Sequence, residues 1–465
     1  ALNMTDAEKI QINYVGSLKD AGTYNLITAS AGTSTYSGIE GDGKVTDNSY
    51  VIDTKIAKAA SGNLILTADR TVGSLAANEL YVSKSATTGH FSNNAATVLA
   101  GIAADGSQTG DMVEVIQKME LDSYGYGNNQ QNLATQVKRL APIVNNSISL
   151  SSMGATTLGL NTVGARIADL RSAEATTVSG VSAGDSDLSK AYWAKLIGSS
   201  AEKDNDGIYD GYKSTSYGIA MGFDKKLKND VILGVALGYT TTDVDQKDFR
   251  DGDKASTDTI QAMLYASKEY NKAYIDAALT YANHNTDSKR ATAVGRIAQA
   301  DIDAQQYGAK ISGGYRFNIK DKVTLTPYLS LEYTHINQDE YTETGEGAIN
   351  LKVDEISMDR GKVGAGFKLS TKIEKNSKVY TPELKLGAYR YFGTDNTDVT
   401  AQYVGGGEKF ITPSSEMDKT MYNASLGLKA QLSDTSSLGF NVDYDRSSDG
   451  LFNGYTGQLS LRVNF

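Results

Sequence analysis

The chain has 465 residues with 46 Gly, 4 Pro, 28 Tyr, one Trp, no Cys and a formal net charge of -10. The length allows about two or three domains. The missing cysteines exclude a disulfide framework and a thiolate metal site, and the acidic balance argues against nucleic acid as a partner.

Residues 1–110 are rich in Ser, Thr, Ala, Gly and Asn. Short β-like runs at 10–15, 24–29, 50–56 and 63–68 are parted by turn signals at Asp20-Ala21-Gly22, Gly41-Asp42-Gly43 and Ser61-Gly62. This predicts the end of a parallel β-helix or a small sandwich. Ala1 opens the sequence without a signal peptide, so an exported protein is expected to be processed or truncated.

Residues 111–189 change character. Asp111 can N-cap a helical run carrying Met112, Val115, Ile116 and Met119, and a second run at 130–141 stops before Pro142. A third is predicted at 158–171, where Leu160, Val163, Ile167 and Leu170 make one narrow apolar stripe with Asn161, Arg166 and Asp169 off it. A loose small-residue stretch, 172–189, follows.

From Lys190 the pattern is uniform. About twelve strands are predicted near 190–200, 214–224, 231–243, 256–268, 273–284, 300–317, 323–336, 355–371, 379–392, 419–431, 437–446 and 451–465. Most alternate cleanly, so one face is apolar and the other polar or small. In the last strand Tyr455, Gly457, Leu459, Leu461, Val463 and Phe465 share a face against Thr456, Gln458, Ser460, Arg462 and Asn464. Connections alternate in length. Those at 225–230, 269–272, 318–322, 373–378 and 433–436 are short and mostly Lys-rich, whereas 201–213, 337–350 and 393–418 are long and rich in Asp, Gly, Thr and Asn. Short turns at one end and long loops at the other are the outer-membrane arrangement, and the Tyr excess suits an aromatic girdle. No run approaches the roughly eighteen apolar residues of a membrane helix, whereas strands of about nine to eleven residues cross a bilayer when tilted. The expected fold is all-β, an antiparallel transmembrane barrel of about twelve strands.

A barrel of that size is wider than side chains alone can fill. Its inward positions include Gly218, Ala220, Gly222, Gly234, Ala236, Gly238, Gly364, Gly366 and Gly427, which leave room. Others carry charge: Asp276, Glu332, Glu383, Asp443 and Asp445 against Lys310, Arg316, Lys368, Lys385 and Arg462. The 158–171 helix is a candidate plug, with Arg166 and Arg171 meeting lumen carboxylates and Asp169 the lumen cations. The alternative is a solvent-exposed linker helix.

Catalytic motifs are weak. Gly184-Asp185-Ser186 has no Asp-x-x-His partner, and His90, His284 and His335 are too few and scattered for a triad or a metal site. Asp204-Asn205-Asp206-Gly207 lacks the Glu of a Ca²⁺ loop and reads as a turn. Gly405-Gly406-Gly407 reads as a loop hinge rather than a phosphate cradle.

Several features together resemble the translocator unit of autotransporters, the type V secretion proteins. They are the Tyr192-Trp193-Ala194-Lys195 start, the helix with Asn161, Arg166, Asp169 and Arg171, the twelve strands and terminal Phe465. The 1–110 region, including Gly22-Thr23-Tyr24-Asn25-Leu26-Ile27, is similar to rickettsial surface antigens of the outer membrane protein B type. The resemblance implies a β-helix-like passenger end at 1–110 outside the cell, a helical linker at 111–189 and a barrel at 190–465. It implies insertion by the barrel assembly machinery, which reads the C-terminal strand, with periplasmic chaperones and outer-membrane lipid as further partners. A host-cell or surface-layer partner would be met through the passenger. No cofactor is implied. Some members cut their linker at an Asn that cyclises on its own backbone; here Asn145, Asn146 and Asn161 are the candidates, and the Asn145-Asn146 pair sits upstream of the matching helix. Two other readings stay open, an outer-membrane porin and a barrel enzyme with loop-borne catalytic residues.

Overall fold

The computed structural model describes residues 10–12, 22–28, 45–47, 52–70, 98, 102, 112, 115, 138–143, 146–174, 190–207, 209–227, 231–292, 295–320, 322–375, 378–393, 398–412, 414, 419–433 and 435–464. Twelve long strands build its main sheet. They are β1 (Lys190–Lys203), β2 (Tyr212–Lys226), β3 (Val231–Gln246), β4 (Lys254–Tyr270), β5 (Ala273–Ala291) and β6 (Ile297–Tyr315), then β7 (Val323–Gln338), β8 (Ile356–Thr371), β9 (Lys378–Gly393), β10 (Thr420–Gln431), β11 (Ser436–Ser447) and β12 (Phe452–Asn464). Each pairs antiparallel with its neighbours in sequence, and β12 returns to β1 with Leu461 opposite Ala194 and Arg462 opposite Trp193. The sheet therefore closes, as the even strand count predicts, and no edge is left unpaired.

Alternation decides which face is which. Leu233, Val235, Leu237 and Tyr239 on β3, and Tyr455, Leu459, Leu461 and Val463 on β12, point outward and are exposed. Ile232, Ala236, Thr240 and Thr242 point inward and are buried. The outer apolar residues lie between two aromatic levels. Tyr192 stacks near Phe223 and Tyr315 near Phe317 toward the short-turn end, while Tyr281 meets Tyr307 and Tyr444 meets Tyr455 toward the loop end. On β6 the levels are Tyr307 and Tyr315, roughly 26 Å apart along a strand rising about 3.3 Å per residue. Beyond the upper level β3 to β6 continue with outward Asp243, Asp258, Asp287, Asp301 and Asp303, so these strands leave the apolar band.

Helix α1 (Ser147–Glu174) stands inside the barrel and packs on β2 to β7, most closely on β4. It begins ahead of the predicted 158–171 run, through 147–157, a stretch of Ser, Thr, Ile, Leu, Met, Gly and Ala with no proline whose hydroxyls meet the wall. Its apolar stripe is only part of the contact. Leu160, Val163 and Ile167 meet Trp193, Ile197, Ala220, Ala236, Met263 and Tyr265, while Leu170 is only half-buried.

The loops after β7 and β9 join in a second, four-stranded sheet made of Tyr341–Thr342, Leu351–Val353, Val399–Tyr403 and Gly406–Thr412. Its centre is Leu351, Val353, Ala401, Tyr403 and Phe410, all fully buried. Ile102 and Met112 lie against Gly407 and Gly405 of this sheet. Gly405 lies in the hairpin turn between Tyr403 and Gly406, and Gly406 and Gly407 open the next strand with positive φ. In the first part of the chain, Gly22–Ile27, Leu64–Arg70 and Ile52–Lys58 form an antiparallel sheet in that order, and Ile10–Ile12 pairs parallel with Val45–Asp47. The helical run expected at 111–119 is described only at Met112 and Val115, and that at 130–141 only from residue 138; both described parts are helical.

Candidate translocation pore

The pore is built from the inward faces of the strands and from α1. Two glycines shape its floor at the turn end. A β-carbon on Gly222 would come within 2.5 Å of the Trp193 ring, and one on Gly234 within 2.1 Å of Tyr265. Only glycine lets these two rings lie flat on the wall. Trp193 Nε1 then donates to Tyr265 Oη at 2.8 Å, and Tyr265 donates to Asp224 Oδ2 at 2.9 Å. Arg166 of α1 completes the group. Its Nε and Nη2 reach the two Asp224 oxygens at 2.7 and 2.8 Å, a bidentate pair with both side chains almost fully buried.

Across the lumen, Asp169 Oδ1 lies 2.7 Å from Lys429 Nζ, and Lys195 Nζ donates to the Thr162 carbonyl at 3.1 Å. Lys429 and Lys368 share Glu383 Oε1 at 3.1 and 3.3 Å. At mid-height Thr157 Oγ1 donates to Glu332 Oε1 at 3.1 Å, and Lys310 Nζ donates to Asn161 Oδ1 at 2.6 Å. Lys310 and Lys362 flank Glu332 at 3.4 and 2.9 Å.

Toward the loop end the contacts become neutral. Thr156 Oγ1 donates to Gln306 Oε1 at 2.9 Å, and Gln261 Nε2 donates to the Thr156 carbonyl at 3.1 Å. Ser151 and Ser214 hydroxyl oxygens are 3.3 Å apart, and Gln246 Nε2 donates to Ser147 Oγ at 2.7 Å. His284 belongs to this layer. Its Nε2 donates to Gln306 and its Nδ1 accepts from Thr259, at 3.0 and 2.8 Å.

Above the helix, arginines hold the chain where it leaves the barrel. Arg250 Nη2 donates to the carbonyls of Lys138, Ala141 and Pro142 at 3.2, 2.8 and 3.1 Å. Burial lowers the Arg250 pKa, and the Asp253 carboxylate at 3.4 Å opposes that shift. Arg290 donates to the Arg139 carbonyl at 2.7 Å while Glu343 takes its other nitrogens at 2.8 and 2.6 Å. These donors read backbone carbonyls, and side chains add to the grip, with Lys138 Nζ 3.5 Å from Asp210 and both Lys138 and Arg139 over the Phe249 ring.

Among the described residues, a cavity of about 770 Å³ lies beside the helix. Lys362, Lys368, Lys385, Lys429, Asp443 and Asp445 are on its bare wall.

The sequence-derived candidates are distributed as follows. Arg166, Asp169, Glu332 and Glu383 come together around α1. Asp276 accepts from Ser267 at 2.7 Å, and Asp443 lies beside Asn441; both are wall residues of the cavity. The side chain of Arg171, and Asn145, Phe465, His90 and Gly184-Asp185-Ser186, lie outside the described residues. Asn146, at φ 55°, donates to Ser414 Oγ at 3.0 Å at the loop end, and Asn161 is within the helix. His335 is half-buried on the outward face, 2.9 Å from Asp359, whereas His284 is buried on the inward face. Asp204-Asn205-Asp206-Gly207 is a turn, with Asn205 Oδ1 accepting from the Gly207 amide at 2.6 Å.

Asp224, Gln261, Gln306, Arg250 and Arg290 lie outside the candidates that the sequence pattern offers. The parity that places Gly218, Ala220 and Gly222 inward also places Asp224 inward, and an inward Asp in a lumen already offered Arg166 was the available signal. The arginines hold a segment more than a hundred residues away, which no local pattern encodes.

A closed barrel with an outer apolar band and its own chain threaded through the lumen is the architecture of an outer-membrane polypeptide translocator. The autotransporter beta-domain family matches residues 192–443, and this chain belongs to that family. It is a bacterial outer-membrane protein. It is similar to outer membrane protein B of Rickettsia typhi, 24% identical over 99% of this chain and 28% of that protein. It is also similar to outer membrane protein B of Rickettsia prowazekii, 26% identical over 80% of this chain and 24% of that protein. The chain thus spans about a quarter of the length of the curated relatives it matches. The translocator domain of autotransporter NalP from Neisseria meningitidis shares the fold, with a TM-score of 0.50 and 16% identity over 67% of this chain and 98% of that one.

Proposed function

We propose that this chain is the C-terminal unit of a larger surface protein, and that it exports and then anchors its own N-terminal passenger. The observation that carries this reading is the course of α1. The helix starts among the long loops, where Ser147 meets Gln246, and ends among the short turns, where Arg166 meets Asp224. The chain ahead of it thus emerges on the loop side, which is the cell exterior in an outer-membrane barrel. Residues 1–110 are the extracellular end of the passenger, of adhesin or surface-layer type, and this portion transports and anchors without an active site. The barrel assembly machinery and periplasmic chaperones deliver it, and a host cell or surface layer meets the passenger.

Protease added to whole cells tests the sidedness. Residues 1–110 are expected to be cut from outside while the barrel survives, and an N-terminal region reached only after the outer membrane is broken sinks the reading. The partner at the C-terminal strand has its own test. Phe465→Ser is expected to lower the amount of assembled barrel far more than Leu461→Ser, and equal losses would make Phe465 an ordinary lipid-facing residue.

A further inference from the structure

The cavity beside α1 has a charge opposite to that of the molecule. The chain is acidic by ten charges, yet among the described residues lining this cavity twelve are Lys or Arg and five are Asp or Glu. Part of the excess is neutralised from behind the lining, where Glu332 meets Lys310 and Lys362, Glu269 meets Arg316 and Glu374 meets Lys322, but the rest is not. Lys272, Arg360 and Lys385 take part in no ion pair among the described residues; Lys385 stands over the Tyr328 ring at 5.1 Å and Arg360 over Tyr391 at 3.9 Å. The lining runs the length of the barrel, from Lys322 and Lys372 in the short turns to Tyr391 and Met421 at the loop end. A narrow passage lined by fixed cations inside a low-dielectric wall concentrates anions and repels cations.

We propose that the barrel with its helix in place is an anion-selective channel, in which the space beside α1, walled by β7 to β12 and by parts of β1, β2, β5 and β6 with the Lys272 turn, passes small inorganic anions such as chloride. This activity goes beyond export. It belongs to the resting, helix-filled state, and it stands or falls separately from the direction in which the passenger moves.

The test is current through the purified full chain in a planar bilayer under a KCl gradient. The expected reversal potential has the sign of chloride preference, with a permeability ratio of several-fold over potassium. Locking α1 to the wall with Ser151→Cys and Ser214→Cys is expected to keep that current, because the proposed path runs beside the helix and does not need it to leave. The double variant Lys272→Glu and Lys385→Glu removes two cations that hold no ion pair, and is expected to shift the reversal potential toward potassium while the barrel remains folded by its gel mobility. Absence of current in the wild-type protein, potassium preference, loss of current on locking the helix, or an unchanged reversal potential in the folded double variant each overturns the proposal.

Discussion

The two walls of the lumen are built on different chemistry. The wall that carries α1, from β2 to β6, presents mainly Gly, Ala, Thr, Ser and Gln, and it holds the helix by packing and mostly neutral hydrogen bonds, with one buried charge pair, Arg166 with Asp224, and one charged donor, Lys310 to Asn161. The bare wall, from β8 to β12, presents Lys, Glu, Asp and Tyr to open space and touches the helix through Asp169 and Lys429. Small inward residues are needed wherever a helix must come close. Charges are tolerated where solvent reaches them, because burying an unpaired charge is far costlier than wetting it. Helix and channel therefore divide one barrel, and the side chains of each wall say which half it serves.

Substitutions separate the walls. The largest effect is expected at the buried pair. Arg166→Ala leaves Asp224 uncompensated and costs about 3–5 kcal/mol, read as a lower melting point of the folded, heat-modifiable gel band. Adding Asp224→Ala recovers part of that loss. A melting point unchanged in the single variant would mean the pair is open to solvent. Next is Thr156→Val, which removes a buried donor to Gln306 and costs about 1 kcal/mol, with no dependence on salt. Asp169→Asn, on the face of α1 turned to the bare wall, costs about 1 kcal/mol or less, because its pair with Lys429 is partly solvated. Its effect shrinks further at high salt, and equal salt sensitivity of the Thr156 and Asp169 variants would erase the distinction between the walls.

The smallest effect lies outside the membrane. Asp287 faces Asp301 across β5 and β6, and the hydrogen bond between the two carboxyls raises the Asp287 pKa above the ordinary 3.8. A raised acid favours the folded extension when protonated, so this contribution is present at low pH and lost as pH rises through the raised value. Amide exchange in the outer part of β5 is expected to quicken over that interval, and Asp287→Asn to remove the change.

Period-two alternation made the barrel legible, since a strand that separates lipid from lumen must repeat every two residues. Strand number, the turn and loop ends, and the pairing of the last strand near Trp193 all follow from that pattern and from chain closure. The helix was legible through Leu160, Val163 and Ile167, but its first turns were not, because Ser and Thr are poor helix formers on intrinsic propensity. They are helical here because Gln246, Ser214 and Gln306 on the wall satisfy their hydroxyls. Arg166 could be assigned to a carboxylate from the sequence, but not to Asp224, whose place depends on how far down the wall the helix reaches. The grip of Arg250 and Arg290 on 138–142 depends on how separate loops fold over one another, which side-chain periodicity does not carry.

The central claim is that α1 occupies the lumen with its first turns at the loop end. The chain has no cysteine, so a single engineered pair reports without background. Ser151→Cys with Ser214→Cys places two thiols where the hydroxyl oxygens are 3.3 Å apart. Oxidation of intact outer membranes is expected to link helix to barrel nearly completely, so that a protease cut placed at 175–189 no longer releases the N-terminal part on a non-reducing gel. Full release of that part after oxidation would contradict a helix held inside the barrel.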